Sequence, residues 1–208
     1  MPDHLSEPDR ASVIETLRAA TRKCHADLGA SAAMSRLFDS DYTLPEYRAH
    51  LGRLLGILEP LESAAARAAE AAGCACPLLR SGDLREDLRC MGATEGDIDA
   101  LERCRRLPAI SPAGLRGYTY VILGSCLGAR IIVRQLRAVL GQGASFRFYG
   151  DEGGRFEAAW ASFRADLEEN GRNHVEVICA TAVGIFNAYG AWFAEPPSPI
   201  QEAGDGPF

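Results

Sequence analysis

The feature that most narrows the folds open to this chain is a helix-start signal followed by a long leucine stripe. In Thr43-Leu44-Pro45-Glu46, threonine can cap a first turn, glutamate can reach back to the cap, and proline fits where no amide donor is needed. Leu51, Leu54, Leu55, Leu58 and Leu61 then recur in steps of three and four, the period of one helix face. Pro60 is placed to kink this helix, and an Ala-rich stretch continues it to Gly73. A second stripe runs through Ile14, Leu17, Thr21, Cys24 and Leu28, predicting a helix over 12–28.

Further helices are expected over 81–91, over 94–106 with Thr94 and Asp97 at capping-box spacing, over 114–140, over 155–169 and over 173–193. LPAISPAG and GQGASFRFYGDEGG read as loops. No stretch alternates convincingly as a strand, so the expectation is one all-α, single-domain helical bundle. Its boundaries are a flexible N-terminus at 1–11, the helical domain at 12–194 and a flexible tail at 195–208.

Bulk properties agree with one soluble domain: 208 residues, 47% hydrophobic and 24% charged. A net charge of -6 argues against generic nucleic-acid binding, while 22 Lys+Arg leave room for a local cationic patch. The polar start MPDHLSEPDR has no basic segment before an apolar one, which argues against a secretory signal. No run approaches the roughly 18 apolar residues of a membrane span. Seven scattered cysteines form a poor disulfide framework and read as reduced thiols in a cytoplasm. Cys74-Ala75-Cys76 lacks a second pair of ligands for zinc. The absence of a sustained heptad makes a monomer the default.

Two segments carry chemistry. In LRAATRKCH, residues 17–25, Arg18, Arg22 and His25 fall within about 60° of one another on the helix. An imidazole can ligate a metal through one nitrogen, and guanidinium forks suit carboxylates. An iron-centred ligand with carboxylate arms would match this face; a solvated surface histidine is the rival reading. In GYTYVILGSCLGARIIVRQL, Gly124 and Gly128 stand four apart with Ser125 between them. Each glycine costs up to about 1 kcal/mol against alanine within a helix. What they offer is bare backbone that something flat could approach, or else close packing against another helix.

Together these segments resemble the heme oxygenase family, closest to bacterial members with a GSxLG-type distal helix. Weaker similarity runs through residues 42–62, FEAAWASFRADL and ATAVGIFNAYGAWF, and the resemblance covers about residues 12–194. It implies a heme-oxygenase-like bundle with a kinked distal helix, with heme held between that helix and a proximal one. His25 would be the axial iron ligand, and Arg18 and Arg22 would meet the heme propionates. Gly124, Ser125 and Gly128 would lie against the macrocycle. Tyr118 or Tyr120 could also reach a propionate, unless both are packed with their hydroxyls at the surface.

The implied reaction is oxidative cleavage of heme, at once cofactor and substrate, to biliverdin, iron and carbon monoxide. It would use O2 and electrons from an external reductant, a ferredoxin or reductase, with a bacteriophytochrome as one client for the bilin. Neither nucleic acid nor membrane is expected as a partner.

The chain departs from the family pattern in places. Many members carry an aspartate where Ser125 stands, and relatives with GS here often have glutamate before it, where this chain has Leu123. Glu157 and Ala161 occupy places where late helices sometimes supply basic residues; Arg164 or Arg172 could substitute, or be plain surface arginines. These departures motivate an alternative, a non-catalytic heme carrier or sensor on the same fold. A third reading, an enzyme of the wider helical fold acting on a thiamine-like metabolite, lacks an evident cysteine and carboxylate constellation. Cys24 and Cys126 read as small packing residues rather than thiolate ligands, Cys76-Pro77 as a loop after a helix, and His50 as a satisfied residue in its leucine-rich helix.

Overall fold

The computed structural model describes residues 12–74, 78–150 and 154–195. Among them are eight α-helices and no strand: α1 (Val13–Gly29), α2 (Ala32–Ser35), α3 (Leu44–Ala71), α4 (Ser81–Cys90), α5 (Glu95–Ala100), α6 (Leu115–Leu140), α7 (Arg155–Asn170) and α8 (Val175–Ala194). The Cys76-Pro77 dipeptide lies outside the described residues.

Helix starts follow the local chemistry. Thr43/Glu46 and Thr94/Asp97 both close as reciprocal capping boxes, and Ser12/Glu15 forms a third at the start of α1. Glu168 of α7 adds a second cap to α1, its carboxylate accepting from the amides of Val13 at 3.1 Å and Ile14 at 3.0 Å. Helix α3 runs unbroken past Pro60, and α6 past its glycines; there Ser125 Oγ donates to the Ile122 carbonyl at 2.7 Å. After α1, the short helix α2 and a 3-10 turn at Arg36–Phe38 were not foreseen.

Helix α8 is the hub, packing chiefly on α1 and α6. By length and composition the segment Arg172–Ala194 is apolar enough to cross a membrane. Here Ile178, Ala182, Ile185, Phe186 and Trp192 are buried in the core. Close approach of α6 to α8 depends on Gly117: a Cβ there would stand 2.4 Å from the Ile178 carbonyl oxygen.

The expected helix over 94–106 ends at Ala100, and the chain then runs without helix to residue 111. Side-chain and cross-chain bonds replace the missing turns. Arg103 donates to the carbonyls of Leu101 at 2.5 Å and Ile98 at 3.2 Å, and to Glu59 at 2.6 Å. The Cys104 amide bonds the Gly56 carbonyl of α3 at 2.8 Å. Gly56 permits this crossing, since a Cβ there would meet the Glu102 carbonyl at 2.5 Å.

His50 is buried, its Nε2 2.6 Å from the Tyr149 hydroxyl and its ring stacked on Tyr149 and Phe193. Burial holds its pKa down at about 4. Asp87 is also buried, and accepts from Ser145 Oγ at 2.5 Å and from the amides of Arg147 at 2.8 Å and Phe148 at 2.9 Å. One carboxylate thus anchors the turn after α6.

Candidate functional site

Helices α1 and α6 are bridged at one point: Thr21 Oγ1 lies 3.1 Å from the Tyr120 hydroxyl. Thr21 spends its own proton on the Leu17 carbonyl at 2.8 Å, so Tyr120 is the donor across the bridge. Trp160 of α7 packs on Tyr120 with ring centroids 5.9 Å apart, closing that end. One turn further along each helix stand His25 and Gly124.

His25 is exposed and set edge-on to Phe186 of α8, at 5.5 Å and 85°. No described residue makes a hydrogen bond to either ring nitrogen, so the imidazole is open to a ligand. Arg18 and Arg22 are exposed on the same side of α1 and have no ion-pair partner among the described residues. Helix α6, for its part, offers bare backbone. Among the described residues nothing lies within 4 Å of where a Cβ would stand on Gly124 or Gly128. Close helix packing therefore does not account for this pair, unlike Gly117 or Gly56. The same face of α6 continues to Leu127 and to Ile131, which is 66% exposed. Beyond Ile131, Gln135 Nε2 donates to the Phe38 carbonyl at 3.1 Å, which places the exposed Phe38 ring near the far end of this face.

The arrangement thus offers an imidazole and two cations without a described ion-pair partner on α1, and glycine backbone with apolar side chains on α6. Its donor set and its uncovered glycine face fit a flat, iron-centred, dicarboxylate ligand such as heme. A depression of about 700 Å³ lies elsewhere, between the second half of α3 and residues 105–112, and includes none of these residues.

Of the eight residues singled out in the sequence, seven lie on the exposed side of α1 or along α6 from the Tyr120 bond onward: Arg18, Arg22, His25, Tyr120, Gly124, Ser125 and Gly128. Tyr118 does not. It is fully buried, its hydroxyl donating to the Leu78 carbonyl at 2.8 Å, so the expectation that it meets a propionate is corrected. Residues 118 and 120 are about 200° apart on a helix, so they could not share a face. On α7, Glu157 pairs with Arg130 at 2.6 Å, and Arg172 lies 3.3 Å from Glu168. Arg164 is exposed on α7 with no described partner.

Sequence reasoning missed Ile131, Phe186 and Arg80. Ile131 follows Gly124 by seven residues and could have been placed on its face. Nothing local marks Phe186, which meets His25 through tertiary packing. Arg80 is 2% exposed, in a residue type that normally signals surface.

Comparison with known proteins identifies the family. The family model described as heme oxygenase matches residues 11–195, and the chain belongs to the heme oxygenase family, a class of heme-degrading oxidoreductases. Heme is thus its ligand at the level of the family. Two solved structures share the fold. The heme oxygenase of Leptospira interrogans aligns with a TM-score of 0.66 at 20% identity, covering 88% of this chain and 99% of its own. The heme oxygenase-1 of the cyanobacterium Synechocystis, solved in complex with heme, aligns with a TM-score of 0.63 at 18% identity, covering 88% and 91%. A search of curated proteins finds no match.

Proposed function

We propose that this protein cleaves heme oxidatively to biliverdin, iron and carbon monoxide, using O2 and electrons from an external ferredoxin or reductase. The observations that carry the reading are the open His25 imidazole on α1 and the uncovered Gly124/Gly128 backbone on α6, two helices tied together by the Thr21–Tyr120 hydrogen bond. Bound heme would supply the redox-active iron and the bonds that are broken.

The rest falls to the chain. His25 binds the metal through one nitrogen, while Phe186 limits how the ring can turn. Arg18 and Arg22 would hold the propionates, since their guanidinium forks suit carboxylates. Tyr120, whose proton is given to Thr21, offers a propionate no donor while that bridge holds; its oxygen borders the cleft as an acceptor. The uncovered backbone at Gly124 and Gly128 would let the flat ligand lie close against α6. Ser125 gives its proton to the Ile122 carbonyl, so it presents an acceptor that can order water, in place of a carboxylate. We place the protein in the cytoplasm as a monomer, with a bacteriophytochrome as one destination for the bilin.

The test loads the protein with one equivalent of hemin and supplies ascorbate in air with catalase present, then repeats the run with a ferredoxin reducing system. Mass analysis identifies the extracted pigment, and a hemoglobin trap reports carbon monoxide. Biliverdin with stoichiometric carbon monoxide is the expected result. A histidine-ligated heme that survives both reductants would overturn it and favour a carrier or sensor.

A further inference from the structure

Among the described residues nothing lies within 4 Å of a Cβ built on Gly124 or Gly128, so what supports this segment of α6 packs on its other side. Cys126 lies about 160–200° around α6 from Gly128 and Gly124, on that back face, and is buried. Arg80 Nη1 donates to its Sγ at 2.8 Å. The guanidinium is itself held from several directions. Its Nε bonds Asp83 at 2.7 Å, and its Nη2 bonds the Phe148 carbonyl and lies 3.4 Å from that of Arg147. It also sits over the Phe156 ring at 4.5 Å and the Phe148 ring at 5.1 Å. The Arg80 backbone amide is bonded to Glu62. A planar fork tied to α4, to the turn after α6 and to α7 has little freedom to shift.

We propose that Arg80 is a positioning residue of this site: through Cys126 it pins the back of α6 and so sets how closely Gly124 and Gly128 approach the ligand. The proposal rests on the functional reading above, because closeness matters only if heme occupies the cleft. A purely structural Arg80, serving only the turn after α6, would leave the distal face where it is whenever the protein folds.

Three variants separate these roles. Cys126→Ala removes the acceptor on α6 and leaves the other Arg80 bonds in place. Cys126→Ser restores an acceptor. Leu84→Ala, a fully buried α4 position, serves as a control for lost stability alone. Each is loaded with heme, reduced and exposed to carbon monoxide, and the C–O stretching band is recorded with the isomer composition of the bilin formed. Cys126→Ala is expected to move or split the band and to change the isomer ratio, with Cys126→Ser returning towards wild type and Leu84→Ala unchanged. In the heme-free protein, amide exchange at residues 124–128 is expected to quicken roughly tenfold or more in Cys126→Ala, as loss of a hydrogen bond to a charged group implies. An unmoved band with unchanged exchange in Cys126→Ala would overturn the proposal. Failure of wild type to bind hemin would instead overturn the functional reading, and the exchange result would still decide whether Arg80 pins α6.

Discussion

At the scale of single residues, the glycines of this chain divide by what a methyl group would meet. Gly124 and Gly128 face open space, whereas Gly56 and Gly117 would drive a Cβ to 2.5 Å and 2.4 Å from carbonyl oxygens. Alanine at 124 or 128 should therefore stabilise the heme-free protein by about 0.5–1 kcal/mol, the helix-propensity gain alone. Urea denaturation would measure it. The same change at 117 should cost about 1–3 kcal/mol through overpacking. If Gly124→Ala and Gly128→Ala both destabilise the heme-free protein, the open face is not open.

His50 gives a pH dependence of definite sign. Its folded pKa, held by burial at about 4, lies below the ordinary 6.5. Between those values the unfolded chain takes up a proton that the folded one refuses. Stability should therefore fall as pH drops from about 6.5 to about 4, by on the order of 3 kcal/mol, and no further from this group at lower pH. Denaturation at pH 7 and pH 4.5, in wild type and His50→Gln, would isolate the term; an equal slope in both would contradict it.

At the scale of elements, α1, which carries His25, is fixed at its start by a residue far away in sequence. Glu168 caps the amides of Val13 and Ile14 from α7. Replacing it with alanine should cost about 1–2 kcal/mol, and hydrogen exchange should show that loss concentrated in the first turn of α1. The turn after α6 depends likewise on Asp87, where alanine strands three donors and should cost at least about 3 kcal/mol in the urea midpoint.

Elements were the most legible part of the sequence, because caps and 3.6-residue periods are local. The Thr43/Glu46 and Thr94/Asp97 boxes are where the spacing puts them. The overextension of α5 to residue 106 has a non-local cause. Contacts of Arg103 and Cys104 with α3 take over the backbone groups that further helical turns would have used.

At the scale of the molecule, α8 is a spine on which α1 and α6 both pack, and the two are joined by the Thr21–Tyr120 hydrogen bond. The histidine face and the glycine pair could each be read from helical geometry. The tie between their two helices could not, since it is a bond between residues 99 apart in sequence. Buried charge was illegible for a related reason. Arg80 and Asp87 look like surface residues until the carbonyls and amides that satisfy them are brought in from residues 145–148.

The central claim is that heme is held by His25 against the glycine face of α6, and its most direct measurement is a hemin titration followed in the Soret region. Wild type should form a stoichiometric complex with a sharp histidine-type band. His25→Ala should lose that band and regain it on addition of imidazole, which can enter the space the side chain leaves and ligate the iron. An identical Soret band in wild type and His25→Ala without imidazole would contradict the account, because the iron would then be held by another residue.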